Sequence, residues 1–253
     1  MIHTFNLEEL LGYFFVFTRL GGVMMMLPGF GEVYVPMRIR LLTAVVLSLA
    51  ITPVIADTLP HTPLMGVETL VFMVREILIG FALGVIGRII LSALQVTASL
   101  IAYQTSLSSA MIFNPSSGSQ DSAFSPYLLM GATALIFVTN MHYQIIEVFI
   151  KSYDAFPPTG GFPFADFKDM IVHVVGHSFN LGVKLAIPFL IAGIIGNFAM
   201  GLLGRLVPQI QVFFMMMPAQ VLLGLVVVMI CVTTMLSLFM QDFFTLYQNL
   251  YSS

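Results

Sequence analysis

Long stretches of apolar residues alternate with short polar connections along the chain. The first stretch covers residues 10–28 and carries no charge except Arg19, and the second covers 41–56 and contains Pro53. A helix needs about 20 apolar residues to cross the hydrocarbon core of a bilayer. The first stretch is therefore predicted to be a membrane-spanning helix, whereas the second is short for one.

The longest helical pattern covers residues 69–112. A straight helix of this length would extend for roughly 60–65 Å at 1.5 Å per residue, about twice the thickness of the hydrocarbon core. Two alternatives follow: the helix breaks near Arg88, or it projects well beyond the membrane. The remaining apolar runs cover residues 127–146, 171–204 and 206–241, with a turn predicted at 205–208.

The composition supports a membrane location. Of the 253 residues, 58% are hydrophobic and 8% are charged, whereas soluble domains carry roughly 25% charged residues. So few charges would not cover a water-facing surface, and the exterior must therefore meet lipid or other apolar protein. The net charge of −3 provides no basic field for nucleic acid. We predict an all-α, polytopic membrane protein.

The placement of Lys and Arg predicts the orientation, because cytoplasmic loops are enriched in these residues. Arg38 and Arg40 predict that the first loop, at 29–40, is cytoplasmic, and Lys151 and Lys168 predict the same for the Pro/Gly-rich loop at 154–164. The connections at 57–68 and 113–126 carry no Lys or Arg and are predicted to lie outside. The two sides alternate correctly only if the longest segment breaks, and Arg205 then falls on the wrong side.

Several charged residues lie within or beside the apolar runs. Each costs on the order of 2.5–3.5 kcal/mol at mid-membrane unless it is paired or hydrated. An ion or proton pathway is one interpretation, but Glu76 is the only acid inside a run. We therefore predict structural or intersubunit pairing. The set comprises Arg19, Arg75, Glu76, Arg88, Lys184 and Arg205.

Small and flexible residues form two further patterns. Gly80 and Gly84 have the spacing that lets two membrane helices approach closely. Two methionine triplets each precede a proline, and flexible thioethers could seal a variable opening, although ordinary apolar packing is the alternative. The triplets are Met24, Met25 and Met26, and Met215, Met216 and Met217.

No motif in the sequence indicates catalysis. Asp169, His173 and His177 share one helix face, which could bind a metal, but the HVVGH segment lacks the glutamate of the HExxH zinc signature. A polar face at the start of a helix is the preferred interpretation. Nucleotide-binding and nucleophile motifs are absent from the sequence. We predict a protein that is not an enzyme and needs no metal or cofactor.

Four ordered motifs, which together extend over essentially the whole chain, resemble the FliR family of the type III export apparatus. The first is FFVFTRLGGVMMMLPGF with the basic loop and apolar run that follow it. The second is the R-E-x-x-x-G segment, here Arg75, Glu76 and Gly80. The third is the polar loop FNPSSGSQDSAFSP. The fourth is the C-terminal GLLGRLVPQIQVFFMMMPAQ, with Arg205, Pro208, Gln209, Phe213 and Pro218 in place.

The resemblance implies a pore-forming subunit of the flagellar protein export gate in the bacterial inner membrane. In that family the subunit joins FliP and FliQ in a helical pore of long hairpins, with FlhB and FlhA as further partners and unfolded flagellar proteins as cargo. It implies a FliP-like part at 1–150, a connecting loop at 151–169 and a FliQ-like hairpin at 170–253. The injectisome branch has the same architecture, but the PAQ at 218–220 favours the flagellar one.

The resemblance also implies that residues 106–122 form a plug inside the pore. Asn-Pro and the Ser-Gly run disfavour helix and strand, and non-helical backbone at membrane depth is tolerated only when buried in protein or lining a water-filled cavity. A plain periplasmic turn is the alternative. The predicted plug residues are Ser106, Met111, Ile112, Phe113, Asn114, Pro115, Ser116, Ser117, Gly118 and Ser122.

Two functions of other classes compete with the export gate. A secondary transporter for a small solute would often show inverted repeats with broken helices, and the sequence contains no convincing repeat. An assembly scaffold without a pore would leave the loop at 113–126 unconstrained. The export gate is preferred because it accounts for all four motifs.

Overall fold

The computed structural model describes residues 7–27, 29–32, 35–59, 66–106, 124–158, 161, 164–206 and 212–249. Within these ranges the chain is helical and contains no strand, which confirms the predicted all-α class. A 3-10 turn occupies Ala56–Thr58. The helices are α1 (Leu7–Met26), α2 (Met37–Ile51), α3 (Val67–Gln104), α4 (Ser125–Val138), α5 (His142–Ala155), α6 (Phe164–Leu206) and α7 (Val212–Asn249).

Three of the described helices are long and apolar enough to cross a membrane. They are α3, α6 and the Pro218–Gln248 part of α7, and a fourth span results if the bent pair α4 and α5 counts as one. These helices have long apolar faces that the chain itself leaves exposed. The chain is therefore a multi-pass membrane protein, as the sequence predicts.

Helix α3 runs without a break for 38 residues. It would measure about 57 Å at 1.5 Å per residue. The predicted alternative of a break near Arg88 is wrong, because α3 is continuous through this residue. No proline lies nearby to interrupt the helix, and the exposed Arg88 side chain can extend from the helix surface without disturbing the backbone. The orientation that depended on that break loses its support.

The sequence predicts one apolar run at 127–146. The structure divides it between two helices, α4 and α5, which are bent by 79° relative to each other. Asn140 at the bend has a φ of 59°, a left-handed conformation that Asn tolerates better than most residues. The Asn140 N–H donates to the Phe137 carbonyl at 3.2 Å, and the Met141 N–H donates to the Ile136 carbonyl at 3.0 Å. These two bonds form a Schellman motif that ends α4.

Two compact units can be recognised. One comprises the described residues within 1–90, 136–175 and 244–253, and its core contains Phe15, Leu20, Ile79, Phe149 and Tyr153. The other comprises the described residues within 91–135 and 176–243, with Leu94, Ile101, Ala132, Leu185 and Phe239 in its core.

The connection between α5 and α6 is shorter than predicted from the sequence. Helix α5 ends at Ala155 and α6 begins at Phe164. Residues 151–155 and 164–169 of the predicted connecting loop are therefore helical. The division of the chain into FliP-like and FliQ-like parts stays a prediction.

Candidate functional site

The centre of the first unit is an ion pair between α1 and α3. The side chains of Arg19 and Glu76 are both completely buried. Arg19 Nε lies 2.6 Å from Glu76 Oε2, and Nη2 lies 2.9 Å from Oε1, so the pairing is bidentate. This geometry is the strongest form of carboxylate recognition by arginine.

The remaining donors of Arg19 point to the end of α5. Nη1 donates to the carbonyl and the hydroxyl of Ser152 at 3.1 and 3.2 Å, and Nη2 also donates to the Phe156 carbonyl at 3.0 Å. The guanidinium carbon lies 3.7 Å from the centre of the Tyr153 ring. All three guanidinium nitrogens are thus engaged, and the pair joins three segments of the chain. We call Arg19, Glu76, Ser152, Tyr153 and Phe156 the arginine node.

Glycines bring the backbones of α1 and α3 together beside the arginine node. A Cβ atom at Gly80 would lie 2.0 Å from the Arg19 carbonyl oxygen, and one at Gly84 would lie 2.8 Å from the Val23 carbonyl oxygen. The close approach predicted from the Gly80 and Gly84 spacing is therefore confirmed. Because these glycines have no side chains, the backbones of α1 and α3 lie close together where Arg19 contacts Glu76.

Arg75 has partners that differ from those of Glu76, as expected for neighbours about 100° apart on a helix. Its guanidinium donates to the carbonyls of Pro157, Pro158 and Gly161 in the connection after α5. Arg19 and Arg75 together satisfy carbonyl groups at the end of α5 and just beyond it. Helix ends leave carbonyls such as that of Phe156 without helical partners, and the prolines cannot supply N–H groups.

The other predicted charges are arranged differently. Arg88, Lys184 and Arg205 are exposed and make no hydrogen bond or ion pair within the part of the chain that the structure describes. The predicted set therefore divides into Arg19, Arg75 and Glu76, which pair inside the chain, and three exposed cations. Intersubunit pairing stays a prediction for those three.

The first methionine triplet is split between the interior and the surface. Met24 is buried and lines an apolar cavity of about 50 Å³ together with Leu20, Leu47, Ile51 and Phe149. Met25 is 51% exposed and Met26 is half-buried, so Met25 is the most accessible of the three, and the sealing role stays a prediction. Residues 215–217 are helical, and their side chains lie outside the described residues.

Only the first residue of the predicted plug is described. Ser106 follows α3 with a φ of 56°, and its hydroxyl contacts Gln220 Oε1. Gln220 Nε2 in turn donates to Asn197 Oδ1 at 2.7 Å. The other predicted plug residues lie outside the described residues: Met111, Ile112, Phe113, Asn114, Pro115, Ser116, Ser117, Gly118 and Ser122.

The histidine stripe on α6 forms a contact with α7. His177 Nδ1 lies 3.3 Å from Asp242 Oδ2. No group of three or more potential metal ligands occurs among the described residues. This contact agrees with a polar face, which was the preferred interpretation of the stripe.

Sequence reasoning missed several partners of the predicted residues. Ser152 and Tyr153 join the arginine node through a carbonyl, a hydroxyl and a ring face, and these groups leave no pattern in the sequence. Gln220 was noted only as part of the PAQ segment, and Asn197 was not noted. An isolated amide inside an apolar run was the one available signal for Asn197, because such groups need partners at membrane depth.

Comparison with known proteins agrees with the resemblance. The chain matches the family described as "Bacterial export proteins, family 1" over residues 10–246. It is 36% identical to a "Flagellar biosynthetic protein FliR" of Caulobacter vibrioides over 83% of this chain and 84% of the relative. Proteins of the same name from Aquifex aeolicus and Escherichia coli K12 are 30% and 27% identical, over 96% and 84% of this chain and 93% and 81% of theirs. The chain belongs to family 1 of the bacterial export proteins.

Proposed function

We propose that this chain is a pore-forming subunit of the flagellar type III protein export gate in the bacterial inner membrane. The observation that carries the proposal is the family match over residues 10–246, together with relatives named as flagellar biosynthetic proteins that are matched over most of their length. The long apolar helices α3, α6 and α7 support the membrane location.

The exposed apolar surface supports assembly with other chains. In the most apolar 18-residue windows of α6 and α7, only 22% and 11% of the window is buried inside the chain. Arg88 and Lys184 are exposed cations on such long apolar helices, where they would be costly against lipid alone. FliP, FliQ, FlhB and FlhA are the proposed partners, and unfolded flagellar proteins are the proposed cargo.

Contacts within the second unit support the proposed C-terminal hairpin. His177 on α6 contacts Asp242 on α7, and Asn197 on α6 contacts Gln220 on α7. The α6 residue later in the sequence contacts the α7 residue earlier in the sequence, so the two helices run antiparallel. This arrangement agrees with the FliQ-like hairpin proposed for 170–253.

The arginine node supports a structural role for its charges and not a catalytic one. Every guanidinium nitrogen of Arg19 is engaged, and Glu76 uses both carboxylate oxygens in the pair. These contacts hold α1, α3 and the end of α5 together. We propose that the subunit shapes the pore and does not catalyse a reaction.

Deleting the gene in the source bacterium tests the proposal. We expect loss of motility and of flagellar proteins in the culture medium, with both restored by a plasmid copy. A deletion strain that secretes flagellar proteins normally would contradict the export role. Loss of uptake of one small solute with export intact would favour the secondary transporter.

Co-expression tests the partnership. The chain expressed alone should be unstable or aggregated, because its apolar faces lack partners. Expressed with the FliP and FliQ proteins of the same organism, it should purify as one large complex. A stable, monodisperse monomer in mild detergent would count against obligate assembly.

A further inference from the structure

An apolar cavity lies in the first unit, where α1 and α2 meet the bend between α4 and α5. It has a volume of about 50 Å³ and is lined by side chains of all four helices and by Phe30. Among the described residues that line it, His142 is the only polar one, and its ring stacks on Phe137 with 5.5 Å between the ring centres. A buried water needs two to four polar partners, so the cavity favours an apolar occupant.

The cavity is open on the side of the α4–α5 bend. Phe137 is 37% exposed there, and Ile146 and Leu47 are half-buried, whereas Leu20 and Met24 in its interior are buried. A cavity of roughly 150 Å³ with an apolar lining accepts a whole benzene molecule. The smaller cavity of this chain therefore suits the narrow end of a hydrocarbon chain that enters from the surface.

The first residues of α2 are two cations, and the apolar side chains that follow them face outward. Arg38 is exposed and Arg40 is half-buried. Leu42, Val46 and Leu49 further along the helix are 62%, 62% and 56% exposed. Basic residues at the end of an exposed apolar helix are typical of the level of the lipid head groups. The start of α2 is therefore expected at that level, with the cavity deeper in the hydrocarbon.

Arg40 lies on the same side of α2 as the cavity. Seven residues make nearly two full helical turns, so Arg40 and Leu47 share one face of α2, and Leu47 and Ile51 lie roughly 10 and 16 Å from Arg40 along the helix. The hydrocarbon core of a bilayer is about 30 Å thick, which leaves about 15 Å for the acyl chains of each leaflet. An acyl chain that begins beside Arg40 therefore ends at the depth of the cavity.

The guanidinium of Arg40 keeps donors that its own chain does not use. Its Nη2 donates to the Glu32 carbonyl, and its Nη1 makes no hydrogen bond within the described residues. Guanidinium groups form strong, charge-assisted hydrogen bonds with phosphate oxygens. A phosphate at the level of the head groups would satisfy these donors.

We infer that Arg40 and this cavity form a binding site for an anionic phospholipid of the membrane. The phosphate accepts hydrogen bonds from Arg40, and the end of one acyl chain packs against Leu20, Met24 and Phe149. An apolar side chain of another protein would suit the cavity as well, but it would not account for a cation one leaflet's depth away on the same helix face. The inference requires the membrane location of the chain and not its role in export.

Photolabelling tests the site in membranes of cells that express the complete export apparatus. The probe is phosphatidylglycerol with a diazirine at the end of one acyl chain, and mass spectrometry identifies the labelled residues. Met24 and Phe149 should be labelled more strongly than the exposed Leu42 and Val46 on the outer face of α2. A chain end held in the cavity is required for this pattern, because free lipid contacts the exposed residues more often.

Two matched substitutions on α2 test whether the cavity holds the acyl chain. Leu47→Phe should lower the labelling of Met24 and Phe149 at least about fourfold, the effect of displacing a single methylene from an apolar site. Leu42→Phe is the control, since Leu42 is 62% exposed and lies about 140° away from Leu47 around the helix. It should leave the labelling of the cavity unchanged.

The charge of the lipid tests the role of Arg40. The same diazirine chain on zwitterionic phosphatidylcholine should label Met24 and Phe149 about fivefold less than on phosphatidylglycerol, the effect of one cation on an anionic lipid. Arg40→Gln should abolish this preference. Arg88→Gln is the control, because it removes an exposed cation of α3, and it should retain the preference.

Three results would overturn the lipid site. They are labelling of the cavity no stronger than that of the outer face of α2, equal labelling of the cavity in the Leu47→Phe and Leu42→Phe variants, and a preference for phosphatidylglycerol that survives Arg40→Gln. The first result would leave the cavity to an apolar side chain of a neighbouring subunit, and it needs only the parent chain, so it decides the question even if a variant fails to fold. The proposed function is tested separately by secretion in the deletion strain.

Discussion

The guanidinium of Arg19 and the carboxylate of Glu76 lie 57 residues apart in the sequence, yet they form a bidentate pair with no solvent exposure on either side chain. The pair fixes α1 against α3, and the further donors of Arg19 fix both helices to the end of α5. Breaking a buried pair by removing one partner is far more costly than replacing both by apolar residues, because the remaining charge is left uncompensated.

Glu76→Leu should therefore destabilise the chain by about 3–5 kcal/mol. The double variant Arg19→Met with Glu76→Leu should lose less stability than either Arg19→Met or Glu76→Leu alone, because no unpaired charge then remains buried. The measurement is the midpoint temperature at which the purified gate dissociates in detergent. A double variant that is as unstable as the sum of its singles would contradict this account.

Glu76→Gln separates a structural pair from a proton relay. From the sequence alone, this substitution is expected to leave export nearly intact. The bidentate geometry changes that expectation, because the amide nitrogen of Gln would face an Arg19 donor and the positive charge would remain buried. We now expect impaired assembly, measured as the yield of intact gate. An assembled gate that no longer exports would favour the relay.

Gly80→Ala should destabilise the α1–α3 contact, since the new Cβ would lie 2.0 Å from the Arg19 carbonyl oxygen. Forcing a methyl group into a packed interface typically costs about 1–3 kcal/mol. Gly21→Ala is the matched control on α1, because no atom lies within 4 Å of its Cβ position. It should be neutral or stabilise the helix by up to about 1 kcal/mol. Equal dissociation midpoints for the two variants would contradict the close approach.

The sequence predicts the helices better than the breaks between them. Apolar runs indicated each of the long helices, but one Asn in a left-handed conformation divides α4 from α5, and a single Asn among apolar residues has no strong signal. At Arg88 the opposite occurred: the charge suggested a break in the helix, but α3 is continuous there. A long side chain can extend from an intact helix, so a charge alone does not end one.

The charges were recognised as needing partners, but the partners were not identifiable from the sequence. Five cations in the predicted set were candidate partners for Glu76, and sequence spacing cannot decide among residues on different helices. The carbonyl acceptors of Ser152 and Phe156 have no side-chain signature at all. Packing of α1 on α3 through Gly80 selects Arg19, and that selection exists only in three dimensions.

Arg75→Ala should loosen the connection between α5 and α6, because Arg75 donates to three of its carbonyls. Arg75→Lys should rescue it only partly, since an ammonium group lacks the planar fork of a guanidinium. Faster proteolysis of this connection in the purified gate is the expected result. Lys151→Ala is the control, because its exposed pair with Glu147 contributes about 0.5 kcal/mol or less. Equal cleavage of all three variants would contradict the role of Arg75.

Deleting residues 115–120 tests the proposed plug at 106–122. Ser106 at its start contacts Gln220, so the deletion leaves the described attachment point intact and assembly should survive. The shortened segment would no longer fill the lumen, and the closed gate should become permeable to ions or small solutes. Membrane conductance of cells that express the complete gate measures this, with the parent and Gly21→Ala gates as tight controls. An assembled deletion variant as tight as the parent would assign the segment to a plain periplasmic turn, because a turn outside the lumen can be shortened without opening a path.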